Sequence, residues 1–357
     1  MSIADLNDGI VYGARESLTD SGIANSSAKV VPPGTILVAM YGSIGKLAIA
    51  GAPMCTSQAI AFIRPDENKA DRKYLFHYLR AQRPQLQAKG RGGTQMNISQ
   101  GDLKKWPVPL PPLEEQRRIA AILDQADALR VERREALRLL GSLGKSLFLD
   151  MFDSYSGPFA TVEEVADPRK GSIRTGPFGS QLLHSEFVDH GIAVLGLDNV
   201  VGNLFAWGER RYITPEKYQS LKRYTVYPGD VLVSIMGTCG RCVVVPADVG
   251  TAINTKHICA ITLHQTKVIP DFVRATFLWH PASRRYLSQQ TKGSIMDGLN
   301  MGIVKAMPLP VPPIELQRRF ASRLHEFDSQ QQVLADSLMC METLFGSLQA
   351  RAFTGQL

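Results

Sequence analysis

The hydrophobic pattern changes period along the chain, and it does so twice in the same order. Residues 35–40 and 231–235 are short apolar runs bounded by Pro-Gly and by glycine turns, which predicts buried strands. Residues 71–88 and 271–290 then read as helical. Tyr74, Leu75, Tyr78 and Leu79 are the core positions of the first, and Phe272, Val273, Phe277 and Leu278 those of the second. Each copy ends in a long stretch with apolar residues at 3-4 spacing. The first stripe is Ile119, Ile122, Ala126, Leu129, Ala136, Leu140, Leu143 and Leu147, interrupted at Arg133. The second is Phe320, Leu324, Phe327, Leu334, Leu338, Met341, Phe345, Leu348 and Ala352, interrupted at Gln331. Stripes this narrow and long predict coiled-coil seams. The plainer alternative is two core helices in separate domains.

The chain repeats itself at the level of residues as well. WPVPLPPLEEQRRIA (106–120) returns as MPLPVPPIELQRRFA (307–321), and PGTILVAMYGSIGK (33–46) as PGDVLVSIMGTCGR (228–241). Pro107, Pro109, Pro111 and Pro112 recur as Pro308, Pro310, Pro312 and Pro313. Proline suits extended segments and the first helical turn, so Pro112 and Pro313 read as helix starts. Glu114, Glu115 and Glu315 complement the helix dipole.

The expected fold is α+β: two pseudo-repeated mixed α/β domains separated by two long helices forming an antiparallel coiled coil. The segments are 1–106, a first domain; 107–153, proline comb and spacer helix; 154–307, a second domain; and 308–357, a second comb and helix. A helix of about 38 residues at ~1.5 Å rise carries the chain roughly 55–60 Å. A second helix returning beside it would put the two domains at opposite ends of a rod. Two readers on such a rod could visit grooves of one duplex about a turn apart, ~34–36 Å.

Charge sharpens this picture only a little. Lys and Arg total 40 against 33 Asp and Glu, and the pI is about 9.1, which favours a polyanionic partner. No stretch approaches the ~20 apolar residues of a membrane span, and no signal-like N-terminus is present. Five scattered cysteines, Cys55, Cys239, Cys242, Cys259 and Cys340, suit a reducing cytoplasm.

PLPPLEEQRRIAAIL (109–123), SLFLDMF (146–152) and SLQARAFTGQL (347–357) resemble the two conserved regions of the specificity (S) subunits of type I restriction-modification enzymes. TGPFGSQLL (175–183) resembles a motif near the start of their target-recognition domains. The resemblance covers essentially the whole chain. It implies two recognition domains reading the halves of a bipartite double-stranded DNA target, with no catalytic site of their own. It further implies docking of two methyltransferase (M) subunits, which would hold S-adenosylmethionine. Motor-nuclease (R) subunits, which would use ATP and Mg, join in the restriction complex. One departure stands out. The second copy carries residues 159–197 ahead of Asp198-Asn199, whereas the first reaches the matching Asp5-Leu6-Asn7 almost at once. A truncated gene, a misplaced start or completion by a second polypeptide would each account for that.

Candidate DNA contacts follow from residue chemistry. KGRGGTQMN carries Lys89, Arg91, Thr94, Gln95 and Asn97, and KGSIMDGLN carries Lys292, Ser294 and Asn300. Glycines let the backbone approach phosphate, and Arg, Gln and Asn match base edges; a solvated turn is the bland alternative. The family-like loop adds Arg174, Thr175, Gly176, Phe178, Gly179, Ser180 and Gln181, with Phe178 equally suited to anchor a core. Lys46 and Arg241 follow matched glycine turns and suit phosphate contact, and Lys256 with His257 closes another turn. Arg117, Arg118, Glu132, Arg134, Glu135 and Arg138 on the first long helix suit solvent or an M subunit.

Three catalytic-looking clusters are set aside. Cys239, Cys242, His257 and Cys259 have zinc-ligand types, but Ile44, Leu47, Gln58 and Ile60 stand opposite in the first copy. GSLGKS (141–146) lacks the first glycine of a phosphate loop, with Leu139 in its place. Pro65-Asp66 with Asp71-Arg72-Lys73 is too cramped for a nuclease centre. The rival readings are an autonomous bipartite DNA-binding regulator and a metal-dependent nuclease or methyltransferase.

Overall fold

The computed structural model describes residues 1–26, 28–92, 96–291 and 298–357. They form two compact units, Met1–Leu137 with Val333–Leu357, and Arg138–Gln332. The expected segment boundaries fell at the ends of the long helices. The units instead divide each long helix, so that each contributes a half to either unit.

The first unit contains β1 (Ile10–Val11), α1 (Asp20–Ala24), β2 (Val30–Val31), β3 (Ile36–Ala39), β4 (Leu47–Ala50), β5 (Met54–Cys55) and β6 (Ile60–Ile63). Then come α2 (Arg72–Ala81), α3 (Arg83–Ala88), α4 (Gln100–Lys104) and the long α5 (Leu113–Phe152). One sheet runs β1-β4-β3-β6, and β2 pairs with β5. Every residue of β3 and β4 is buried, as expected of short apolar strands covered on both faces. Asp71 caps α2 by accepting hydrogen bonds from the amides of Lys73 and Tyr74. The single helix expected over 71–88 is two, because Pro84 opens a new first turn and Gln82 leaves helical geometry. The stretch 271–290 breaks likewise, at His280 before Pro281.

The second unit contains β7 (Phe159–Thr161), α6 (Val162–Val165), β8 (Ile173–Thr175), β9 (Ile192–Leu195), β10 (Tyr212–Ile213), α7 (Pro215–Leu221), β11 (Thr225–Val226), β12 (Val231–Ser234) and β13 (Cys242–Val244). It continues with β14 (Ala252–Asn254), β15 (Ile258–Ile261), α8 (Pro270–Trp279), α9 (Pro281–Thr291), α10 (Met301–Lys305), β16 (Pro308–Pro310) and α11 (Ile314–Phe353). Its sheets run β13-β12-β15-β8 and β10-β9-β14-β11, with β16 on β7.

Equivalent residues make equivalent bonds in the two units. Asp8 and Asn203 both adopt positive φ, 60° and 59°, which short Asx side chains tolerate. Each uses its side-chain oxygen to accept from the first amide of the strand after the glycine turn, Leu47 at 3.0 Å and Cys242 at 3.2 Å. Ser57 donates to the carbonyl of Met1 at 3.0 Å as Thr255 donates to that of Leu195 at 2.9 Å. Met1 therefore stands where the last residue of β9 stands.

The long helices pack antiparallel within each unit. In the first, Ile119, Ala120 and Leu123 meet Phe345 and Ala352; in the second, Phe148 and Phe152 meet Phe320 and Leu324. On α11, Phe320, Leu324 and Phe345 are buried, and Phe327, Leu334, Leu338, Met341 and Leu348 are half-buried, as the stripe predicts. On α5 the stripe needs correction. Leu129 is 48% and Leu143 42% exposed, and Ile122, Leu140 and Leu147 are half-buried beside fully buried Leu123 and Phe148. The covered track steps 119, 123, 126, 130, 133, 137, 140, 144 and 148, and it admits Arg130 and Gly144. Counting apolar residues alone skipped both. Arg130 is buried because Asp127 and Glu342 satisfy it and the Phe345 ring lies 4.0 Å away. At Gly144 a Cβ would come within 2.9 Å of the Leu324 side chain.

Candidate nucleic-acid interface

In the first unit the loop 89–98 is stitched to the end of β3. Gly42 donates to Met96 O at 3.0 Å, Ile98 to Met40 O at 2.9 Å, and Arg91 and Asn97 exchange main-chain bonds at 2.8 and 2.9 Å. Loop and glycine turn thus form one platform, with Tyr41, Lys89, Arg91 and Met96 exposed and Asn97 half-buried. The Lys89 ammonium lies 5.5 Å from the Trp106 ring. Thr94 and Gln95 lie outside the described residues. Lys46 does not join the platform; it is half-buried and its Nζ reaches back to Ile3 O at 3.5 Å.

The second unit rebuilds the platform. Leu299 donates to Ile235 O at 2.8 Å, and Met236 bridges Gly298. Lys292 and Ser294 lie outside the described residues. Asn300 is a correction: its side chain accepts from Ile303 N at 2.9 Å and caps α10, as Ser99 caps α4. Arg241 is half-buried on the glycine turn, its amide donating to Ser234 Oγ at 2.9 Å.

Arg174 is a second correction. It lies on β8 and is 8% exposed. Its guanidinium pairs with Asp230 and donates to Thr225 O at 2.8 Å and Thr262 Oγ1 at 2.9 Å. A charge so enclosed is stable only because these partners satisfy it. The signal was present in the repeat, where Asp230 replaces Thr35. Thr175 ends β8 half-buried, and Gly176 lets the chain pass the 254–255 turn, since a Cβ there would be 2.0 Å from Asn254 O. Phe178 is 51% exposed rather than a core anchor. Gly179, at φ 56°, and Ser180 are exposed with it. The Gln181 carbonyl turns inward, accepting from Tyr224 OH at 2.7 Å.

That close pass sets the 176–180 loop beside the 255–257 turn, where charge accumulates. Burial first, then the charges of Lys256 and Arg211, hold His257 below its ordinary pKa of 6.5, so near neutral pH it is uncharged. Arg211 pairs with Asp198, and Arg210 lies 4.9 Å from the ring of Trp207, itself 38% exposed. Sequence reasoning missed this strip, although Phe205, Trp207, Arg210 and Arg211 interleave aromatic and basic side chains, a recurrent nucleic-acid-binding composition. It also missed a cavity of about 1240 Å³ in the same unit, whose lining includes Arg169, Lys170, Lys222, Arg223 and Tyr227.

Cys242 and Cys259 are core residues, and burial pushes both thiols up to about 12. Among the described residues no three His, Cys, Asp or Glu side chains converge as metal ligands, and no helix is long and apolar enough to cross a membrane.

Residues 2–138 and 206–336 match the family model described as the type I restriction modification DNA specificity domain. The chain is 23% identical over 355 residues to the type I restriction enzyme EcoBI specificity subunit of Escherichia coli, spanning 92% of this chain and 74% of that protein. It is 24% identical over 278 residues to a putative type I specificity subunit of Haemophilus influenzae, spanning 76% and 68%. In fold it is similar to the S subunit structure from M. genitalium, with a TM-score of 0.61, 15% identity, and 91% and 84% of the chains covered. A chain from a structure of type I R-M complex assembly gives a TM-score of 0.60 at 19% identity, covering 100% and 91%.

Proposed function

Because the chain belongs to the type I restriction modification DNA specificity family, we propose that its two units read the halves of a bipartite DNA target and that the chain itself performs no chemistry. The observation that carries this reading is the platform of glycine turn and stitched loop, built twice at equivalent strand ends with polar and basic side chains outward. On each platform a few side chains would meet base edges, while cations such as Lys89, Arg91, Arg210 and Lys256 hold register on phosphates. The long helices would set the spacing between half-sites.

In this reading two methyltransferase subunits dock on the helices, where Arg117, Glu132 and Arg134 are exposed, and supply S-adenosylmethionine. Motor-nuclease subunits with ATP and Mg complete the restriction complex, and the assembly works in the cytoplasm. Co-expression with the methyltransferase subunit, co-purification and mapping of modified adenines provide the test. The expected result is one bipartite motif with a constant gap. A chain that methylates or cleaves DNA alone, or binds a bipartite operator tightly with no partner, would overturn the reading.

A further inference from the structure

Two units built on one repeat differ sharply at one sheet edge. In the second unit β15 lies between β12 and β8, with Cα partners Ile261–Ile173, Ala260–Arg174 and Cys259–Thr175. β6 is the counterpart of β15: Leu37 pairs with Phe62 as Leu232 pairs with Ala260. Yet β6 ends its sheet, and among the described residues no strand pairs with its outer edge. The neighbouring side chains are correspondingly uncovered. Phe62 is 38% exposed where Ala260 is 0%, and Val30 is 52% exposed where Thr225 is 8%. Unpaired edges of this kind are templates for strand addition unless charges or proline blunt them, and Ile60–Ile63 carries neither.

We propose that the outer edge of β6 accepts an antiparallel β-strand donated by another polypeptide, and that the donor carries an apolar residue at the position matching Arg174. The second unit supplies the register. A strand laid on β6 as β8 lies on β15 would set its residues 173, 174 and 175 opposite Ile63, Phe62 and Ala61. It also shows why the donor cannot copy β8. Arg174 is tolerated there because Asp230 and Thr262 satisfy its guanidinium. In the first unit Thr35 stands for Asp230, its hydroxyl already donating to Pro32 O at 2.7 Å, and Arg64 stands for Thr262. A guanidinium placed there would lack a counter-ion and face a second cation. Position 174 in the second unit reaches from Ala260 to the main chain of Thr225. Phe62 and Val30 hold those two places in the first, and both offer apolar surface. The inference is independent of the DNA-reading role.

The test uses the full 357-residue chain and two synthetic peptides of its residues 168–178, one natural and one with Arg174→Leu. Binding is followed by fluorescence anisotropy and by amide exchange at residues 60–63. The Arg174→Leu peptide is expected to bind at least about tenfold more tightly than the natural one, about 1.4 kcal/mol, and to slow exchange in β6. Phe62→Lys in the chain should abolish that binding with the circular dichroism unchanged; should that variant fail to fold, Val30→Lys gives the same readout. Equal binding of the two peptides, or no binding of either, overturns the proposal. So does concentration-dependent protection of β6 without peptide, which would mean that copies pair through this edge.

Discussion

Gln116 and Gln317 make the same three hydrogen bonds in the two units. The carbonyl oxygen of Gln116 accepts from Asp71 N at 2.8 Å, and its amide donates to Lys69 O at 3.0 Å and Pro111 O at 2.8 Å. Gln317 accepts from Ile269 N at 2.9 Å and donates to Lys267 O at 3.1 Å and Pro312 O at 2.8 Å. Both are buried, at 1% and 0% exposure. Each fastens a long helix to the entry of the first domain helix, and this explains why Gln-Arg-Arg recurs after each proline comb.

Gln116→Leu keeps the volume but strands a buried amide and two carbonyls. A loss of about 2–4 kcal/mol is expected, and Gln317→Leu should cost a similar amount. Amide exchange should show loosening of α2 in the first variant and of α8 in the second. Unchanged exchange in both would mean the bonds are dispensable.

The corrected track on α5 separates neighbours that an apolar count treats alike. Leu123→Ala empties a fully buried site and should cost about 2–5 kcal/mol. Leu129→Ala, at an exposed site, should stay within about 0.5 kcal/mol. Urea denaturation of the two variants distinguishes the registers, and the reverse order would restore the original stripe.

Asp230→Ala leaves the Arg174 guanidinium buried without its counter-ion. A loss of about 3–5 kcal/mol is expected, and the double variant Arg174→Met with Asp230→Ala should recover much of it. If Arg174→Met instead left stability intact and altered only the recognised bases, the residue would belong to the interface after all.

His257 couples DNA binding to pH. Burial, Lys256 and Arg211 depress its pKa in the free chain, so its folded-state stability contribution is complete above 6.5 and falls as pH drops through the depressed value. Phosphates beside it would raise that pKa, so binding takes up a proton and tightens as pH falls between the bound and free values. Each unit of difference is worth about tenfold. Affinity for target DNA should be severalfold higher at pH about 5.5 than at about 7.5, at constant salt. His257→Gln should flatten the slope, and an identical slope in that variant would remove His257 from the interface.

If the helices space the half-sites, adding seven residues to both α5 and α11 lengthens each by about 10 Å. The methylated motif should keep its two halves and change its gap. An unchanged gap, read by methylome sequencing, would reject the spacing role.

The sequence by itself determined the repeat, the two long helices, the buried β3 and β12 strands and the two stitched loops. These rest on local chemistry: apolar period, proline-fixed φ and glycine turns act within a few residues and can be read there. Only the tertiary structure decided which positive charges are interior. Arg130 and Arg174 look like surface residues until Glu342 and Asp230 arrive from distant segments to satisfy them, and Asn300 looks like a base reader until α10 starts on it. A side chain's role depends on whether water or protein surrounds it, and long-range packing alone settles that.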